Sequence, residues 1–182
     1  NFHQYLRGGV SLEATDLVID CGACEGFFTR AALDAGVNKV VCVEPSSVMA
    51  DCLRMTFEPE IAAGRVVVAQ VALGSFPGSA RFSSDEDDAF AGRFDGSGGE
   101  IVDVATLESL AAEHGRPTFI KMDLEGSEYQ ALSGGFDLLK EYRPKLGITT
   151  YHNPWDYAVI SSFLKGAGYQ SVKPYGITYR HE

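Results

Sequence analysis

The stretch that decides the fold is Leu17-Val18-Ile19-Asp20-Cys21-Gly22-Ala23-Cys24-Glu25-Gly26. A short apolar run ends in an acid, and two glycines four residues apart lead into an amphipathic helical pattern. This order predicts a strand, a tight turn and the start of a helix. Because open α/β sheets hold nucleotide-like ligands at such a turn, the stretch also predicts a ligand site.

The rest of the chain continues this alternation. Further apolar strands are predicted at residues 39–43, 65–71, 118–122 and 145–151. Helices are predicted at 25–35, after Ser46 or Ser47, at 106–114, at 125–132, and from Asn153 as cap with Pro154 at the first helical position. The alternation predicts an α/β fold with a doubly wound, mostly parallel sheet and helices on both faces.

Three segments depart from this rhythm. Residues 1–16 are expected to form a lid or cap over the ligand site. Two short strands within residues 79–104, on either side of an acidic, glycine-rich loop, predict a β-hairpin insertion. Residues 169–172 and 177–179 are expected to form a closing antiparallel pair.

Length and composition exclude several classes of protein. The chain has 182 residues, of which 45% are hydrophobic and 22% charged, which is typical of one globular domain spanning residues 1–182. No apolar run is long enough for a membrane helix, and the net charge of -10 disfavours a nucleic-acid partner. We expect four reduced thiols in a cytoplasmic protein, with a redox or zinc role for the pair Cys21 and Cys24 as the alternative.

The glycine pattern discriminates between two classes of cofactor. Dinucleotide enzymes carry GxGxxG, whereas here Asp20 ends the strand and only Gly22 and Gly26 follow. A carboxylate at that place would repel a pyrophosphate and attract the cationic groups of S-adenosylmethionine. Glu44 ends the second strand, where a carboxylate can accept hydrogen bonds from a ribose diol, although dinucleotide enzymes also use an acid there.

Four segments together resemble the FkbM family of S-adenosylmethionine-dependent methyltransferases. They are Val18-Ile19-Asp20-Cys21-Gly22-Ala23, Val43-Glu44-Pro45, Ile120-Lys121-Met122-Asp123-Leu124-Glu125-Gly126-Ser127-Glu128 and Tyr151-His152-Asn153-Pro154. The resemblance runs from about residue 12 to residue 172, and the KxDxEGxE pattern is its most specific part. Cys24 departs from the usual family pattern in the glycine turn.

The resemblance implies a class I methyltransferase sheet of seven strands, the seventh antiparallel. It implies that Asp20 and Gly22 face the methionine end of the cofactor and that Glu44 faces the ribose. The corner Gln70-Val71-Ala72 would then lie beside the adenine. The predicted cofactor-binding residues are Asp20, Gly22, Ala23, Gly26, Glu44, Pro45, Gln70, Val71, Ala72 and Asp123.

Methyl transfer to an alcohol needs a base within hydrogen-bond reach of the hydroxyl. The candidates at the carboxyl ends of the fourth and fifth strands are Asp123, Glu125 and His152. Our hypothesis is that Asp123 contacts the reacting end of the cofactor or acceptor, and that His152 or Glu125 takes the proton. We predict no metal site; a divalent cation held by Asp123 and Glu125 is the minor alternative.

The leading interpretation is therefore O-methylation of a hydroxyl on a small molecule or sugar. The first alternative is an NAD-type oxidoreductase on a Rossmann-like fold. The second is a binding protein that retains the cofactor site without catalysis.

Overall fold

The computed structural model describes residues 2–85, 88–93 and 100–175, and the side chains of residues 4–82 and 100–175. A 3-10 turn (Phe2–Tyr5) precedes β1 (Leu17–Cys21), α1 (Phe27–Asp34), β2 (Lys39–Val43), α2 (Ser47–Thr56), α3 (Glu58–Ala62) and β3 (Val66–Ala69). Next come β4 (Ala72–Leu73), β5 (Gly78–Asp85), β6 (Asp88–Arg93) and β7 (Glu100–Ala105). The chain continues with α4 (Leu107–His114), β8 (Phe119–Met122), α5 (Glu128–Ser133), α6 (Phe136–Tyr142), β9 (Lys145–Ile148) and α7 (Asp156–Gly166).

The predicted parallel sheet is confirmed. Its five strands lie in the order β3-β2-β1-β8-β9, and every neighbouring pair is parallel. β1 lies at the centre because its residues are apolar on both faces. The register places Asp20 beside Lys121, so two opposite charges lie next to each other on adjacent buried strands.

Side-chain alternation along the strands divides the core into two layers, one on each face of the sheet. Ile19 and Val41 pack with apolar residues of α4, α5, α6 and α7. Val18 and Val40 face the other way and pack with α1, α2 and Phe57. The predicted helices on both faces are therefore present.

Residues 72–105 form a second sheet, in the order β4-β7-β5-β6. β5 and β7 pair antiparallel, as the predicted hairpin insertion requires. The prediction of a loop between them was incomplete, because β6 lies within that segment and pairs with β5. Residues 86–87 and 94–99 of that loop lie outside the described residues.

The strand count and the end of the chain differ from prediction. Within the described residues the parallel sheet has five strands, whereas the family resemblance implied a sheet of seven with the last one antiparallel. Residues 169–172 form no strand, and residues 177–179 lie outside the described part of the chain. The assignment of residues 1–182 to one domain stays a prediction.

Three helix boundaries were also wrong. Glu125 and Gly126 have φ of 51° and 99°, so α5 cannot begin before them and starts at Glu128. The helix α6 was missed, because Gly134-Gly135 was interpreted as a stop and not as a link between two helices. Asn153 does not cap α7: its N–H donates to the Asp156 carboxylate, and the helix begins at Asp156.

Two aromatic residues at the starts of helices are exposed. Phe27 is 72% exposed and Trp155 is 68% exposed. Both lie at or just before the first residue of a helix, where the direction of a side chain is set by the entering loop and not by the helical period.

Candidate functional site

The glycine turn after β1 packs directly against the end of β8. Gly22 has φ of 74°, and a Cβ there would overlap the carbonyl oxygen of Asp123. Only glycine fits this position, because both the left-handed backbone and the close approach exclude a side chain. The N–H groups of Gly22 and Ala23 both donate to the Val43 carbonyl, at 3.0 and 3.1 Å, which fixes the turn against β2.

The Glu44 carboxylate is held at the end of β2 by two main-chain donors. The Cys24 N–H donates to Oε2 and the Ser46 N–H donates to Oε1, both at 3.0 Å. Burial raises the pKa of Glu44, and these two hydrogen bonds only partly oppose that effect. The carboxylate is thus fixed in one orientation on the wall of the cleft described below.

Asp20 is fully buried and paired with Lys121. Its Oδ1 lies 3.1 Å from Lys121 Nζ, and its Oδ2 accepts a hydrogen bond of 2.7 Å from the Thr29 hydroxyl. Lys121 Nζ also donates to the carbonyl of Gly22 at 2.6 Å, so the ion pair supports the turn from below. Burial acts to lower the pKa of Lys121, but the charges of Asp20 and Asp123 outweigh it and raise the pKa.

A cleft of about 350 Å³ lies at the carboxyl ends of β1, β2 and β8. Several predicted site residues line it, namely Gly22, Ala23, Glu44, Pro45, Val71, Ala72, Asp123 and Glu125. Asp20, Gly26, Gln70 and His152 are not among its lining residues. Gln70 instead accepts a hydrogen bond from Arg54, and Gly26 packs on the Phe57 ring.

The N-terminal segment contributes to the same cleft. Gln4 and Tyr5 line it, and the Tyr5 ring packs edge-on against Phe28. The Tyr5 hydroxyl donates to Asp123 Oδ2 at 2.7 Å. The other oxygen of Asp123 accepts a hydrogen bond from the Thr149 hydroxyl at 3.0 Å. Both carboxylate oxygens of Asp123 are therefore engaged within the protein; the role of residues 1–16 as a lid stays a prediction.

His152 is surrounded by three carboxylates. Its Nδ1 lies 3.0 Å from Glu128 Oε1, and its Nε2 lies 3.3 Å from Glu125 Oε2 and 3.6 Å from Asp123 Oδ1. Burial acts to lower the pKa of His152, but the contact with Glu128 and the three negative charges outweigh it and raise the pKa above 6.5. The three carboxylates therefore favour the protonated form of the imidazole, which argues against His152 as the base.

We expect this arrangement to make stability depend on pH. A raised histidine pKa stabilises the folded state fully below the unfolded pKa, near 6.5, and the effect is lost as pH rises through the folded pKa. The difference in unfolding free energy between wild type and His152→Asn should be larger at pH 6 than at pH 9, measured by urea denaturation. Glu128→Gln should lower the pKa of His152 in an NMR titration; an unchanged pKa would contradict the pairing.

Asp123, Glu128 and His152 could also hold a metal ion, since one ligand atom from each lies within 4.8 Å of the others. Contacts within the protein already engage this cluster, because Glu128 Oε1 accepts hydrogen bonds from the Leu124 N–H and the Thr149 hydroxyl. The protein contacts thus explain the cluster without an ion.

The cysteine pair shows no geometry for redox chemistry or zinc binding. Cys21 is fully buried, Cys24 is partly buried, and the four cysteines are free. Burial and the neighbouring Glu25 raise the pKa of Cys24 to about 12, so its thiol is protonated at neutral pH. Cys24 instead adopts a φ of 48° and supplies the main-chain donor to Glu44.

A second cavity of about 570 Å³ adjoins the cleft. Among the described residues, Leu73, Glu125 and Ser127 line both spaces. His152 and Asn153 line the second cavity. The group formed by His152 and the three carboxylates around it thus lies between the cleft and the second cavity.

Sequence reasoning did not assign two residues that shape the site, Lys121 and Thr149; Tyr5 belongs to the segment 1–16 that was expected to form a lid. Lys121 lay within the motif KxDxEGxE but was given no role of its own. The parallel register would have identified its partner, since Asp20 and Lys121 are each the next-to-last residue of adjacent strands. Thr149 carried no comparable signal, because its contacts depend on how segments distant in sequence pack.

Comparisons with known proteins agree with this geometry. The family model described as the methyltransferase FkbM domain matches residues 20–171. The crystal structure of methyltransferase FkbM from Methylobacillus flagellatus KT is similar over 90% of this chain, with 23% identity and a TM-score of 0.71. This chain covers 41% of that protein, about two fifths of its length.

A second structure is less similar. The C-terminal domain of precorrin-6Y C5,15-methyltransferase from Rhodobacter capsulatus covers 72% of this chain and 50% of its own length, with 13% identity and a TM-score of 0.43. No curated protein is similar enough to this chain to count as a match. None of the described helices is both long and apolar enough to cross a bilayer. Because the family model covers most of the sequence, this chain belongs to the family of FkbM methyltransferase domains.

Proposed function

We propose that this chain transfers a methyl group from S-adenosylmethionine to a hydroxyl of a small-molecule or sugar acceptor. The observation that carries the proposal is the charge of the cleft. Among the described residues, its lining includes the carboxylates Glu25, Glu44, Asp123 and Glu125 but one cation, Lys121, whose charge is balanced by Asp20. Such a wall favours a ligand with sulfonium and ammonium groups over a pyrophosphate.

The residues present fit this cofactor. Glu44 is oriented to accept hydrogen bonds from a ribose diol, and Val71 and Ala72 offer an apolar wall for the adenine. Asp123 and the turn at Gly22 would lie near the methionine part. The buried Asp20 acts by holding Lys121 under that turn, which replaces the direct contact implied by the sequence. When bound, S-adenosylmethionine supplies an electrophilic methyl group.

The proton of the acceptor hydroxyl needs a base, and Glu125 is the best placed of the three candidates. It lines both the cleft and the second cavity. The oxygens of Asp123 already accept hydrogen bonds from Tyr5 and Thr149, and the neighbouring carboxylates favour the protonated form of His152. We assign His152 to orienting Glu125, at 3.3 Å, and Asp123 to positioning.

Calorimetry with S-adenosylhomocysteine and NAD tests the cofactor. We expect the former to bind and to raise the melting temperature, and NAD to do neither. Binding of NAD alone would favour the oxidoreductase. Incubation with radiolabelled S-adenosylmethionine and hydroxylated metabolites then tests transfer; cofactor binding with no product in any screen would favour the non-catalytic alternative.

Glu125→Gln should reduce turnover about a hundredfold, because the amide cannot accept the acceptor proton. The affinity for S-adenosylhomocysteine should change by less than about twofold, which separates a loss of chemistry from a loss of binding. Glu141→Gln, at an exposed acid of α6, is the matched control and should leave both quantities unchanged. Equal turnover of wild type and Glu125→Gln would remove Glu125 from this role.

Excess EDTA should leave methyl transfer unaffected. The reason is that contacts within the protein already engage Asp123, Glu128 and His152. The measurement is initial rate with and without chelator. Inactivation by EDTA that is reversed by added Mg²⁺ or Mn²⁺ would show that the cluster binds a metal.

A further inference from the structure

We propose that the second cavity is the acceptor site and that it receives an uncharged, polyhydroxylated group such as a sugar ring. This inference rests on the proposed methyl transfer. The cavity lies between the end of β4, the start of β5, the loop before α5 and the segment after β9. Its volume of about 570 Å³ is within the range of small-molecule sites.

The assignment of the second cavity as the acceptor site follows from the residues that it shares with the cleft. A hydroxyl can receive a methyl group only when acceptor and donor occupy adjoining spaces with a base within reach of the hydroxyl. Leu73, Glu125 and Ser127 are the described residues that line both spaces. Of these, Glu125 carries the ionisable side chain. A hydroxyl entering from the cavity would therefore meet Glu125 at the boundary with the cleft.

Beside Glu125 and His152, the cavity wall carries neutral groups that can donate and accept hydrogen bonds. They are the hydroxyls of Ser75 and Ser127 and the amides of Gln130 and Asn153. The Asp156 carboxylate accepts from Asn153 Nδ2 at 3.2 Å, which orients that amide. The Ser75 hydroxyl donates to the main-chain carbonyl of Gln130 at 3.1 Å, which joins two sides of the wall. Sugar hydroxyls, which are donors and acceptors at once, match such groups.

The charges of the wall disfavour an anionic acceptor. Across the described part of the chain, no lysine or arginine lines the cavity. The basic side chain in the wall is His152, which three carboxylates already contact at 3.0–3.6 Å. A phosphate or carboxylate on the acceptor would meet the Glu125 carboxylate without a counter-ion, and the chain as a whole carries a charge of -10.

The apolar part of the wall disfavours a planar aromatic acceptor. It is formed by Leu73, Ala80 and Val104, which are aliphatic, and no aromatic residue lines the cavity within the described ranges. An aromatic ring would find no stacking partner there, whereas the C–H faces of a sugar can pack on aliphatic side chains.

Saturation-transfer NMR on the 182-residue chain with bound S-adenosylhomocysteine tests this proposal. The probes are D-glucose, D-mannose and D-galactose, each beside its 6-phosphate, together with catechol. Ala80→Phe fills the cavity from β5 without changing a residue that lines the cleft. Ala62→Phe, at an exposed position of α3, is the matched control.

We expect at least one neutral sugar to bind, its 6-phosphate to bind about tenfold or more weakly, and catechol not to bind. Ala80→Phe should lose sugar binding but keep its affinity for S-adenosylhomocysteine, and Ala62→Phe should keep both. The proposal is overturned if no neutral sugar binds, if a phosphate binds as well as its parent sugar, or if Ala80→Phe binds sugar normally. Failure of S-adenosylhomocysteine to bind wild type would instead refute the proposed function itself.

Discussion

Lys121→Met is expected to lower the free energy of unfolding by about 3–5 kcal/mol, because it leaves the Asp20 carboxylate buried without its counter-ion. Asp20 is fully buried and Lys121 is 5% exposed, so water cannot take over the role of the lost ammonium group. The substitution also removes the donor to the Gly22 carbonyl, so the glycine turn should lose order. Urea denaturation at neutral pH measures the first effect, and calorimetry with S-adenosylhomocysteine measures the second.

The double variant Asp20→Asn with Lys121→Met separates charge from packing. Removing both charges should recover most of the lost stability, because neither buried ion then lacks a partner. Lys140→Met, at an exposed position of α6, should change stability by less than about 0.5 kcal/mol. If the double variant is as unstable as Lys121→Met alone, the ion pair is not what stabilises this part of the sheet.

Gly22→Ala is expected to lower the free energy of unfolding by at least about 3 kcal/mol and to abolish cofactor binding. The added Cβ would have to displace the main chain at Asp123, and a backbone atom between two packed strands cannot move without separating them. The left-handed φ of 74° adds strain of its own. The measurements are the urea midpoint and the heat of S-adenosylhomocysteine binding.

Gly64→Ala is the matched control for this substitution. Gly64 has φ of 70°, almost the value at Gly22, but a Cβ there meets nothing within 4 Å. Gly64→Ala should lower the free energy of unfolding by about 1 kcal/mol, which is the cost of the backbone conformation alone. Equal losses at the two glycines would mean that the contact with Asp123 contributes nothing.

Much of the scaffold could be predicted because local and global signals agreed. Apolar runs bounded by glycine or by an acid predicted the first and last residues of β1 and β2 correctly. Thr106 was predicted as a cap, and its hydroxyl accepts a hydrogen bond from the Ser109 N–H at the start of α4. Each of these features depends on residues close in sequence.

The errors arose where a tertiary contact decided the local structure. The segment after Asp123 was interpreted as the start of a helix, but Glu125 turns into the left-handed region and reaches His152. Asn153 is of a residue type that often caps helices, yet its main-chain N–H donates to the Asp156 carboxylate before the helix begins. Sequence periodicity cannot predict either the turn at Glu125 or the bond of Asn153. The first depends on a contact with His152 across the site, and the second on the Asp156 side chain three residues later.

The predicted site residues are only partly brought together by the fold, and their role in binding stays a prediction. Glu44, Asp123 and Glu125 line the cleft. Asp20 was expected to face the methionine end of the cofactor, whereas its side chain lies beneath the turn beside Thr29. No sequence pattern places three carboxylates around His152.

The pairing of β1 with β8 has a consequence for synthesis on the ribosome. Lys121 follows Cys21 by 100 residues, so the central strand leaves the exit tunnel long before its neighbour and counter-ion are made. At roughly 5–20 residues per second, that interval is on the order of 5–20 s. During it Asp20 lacks its counter-ion and β1 lacks the strand on that side, so the sheet is completed only after β8 has been made.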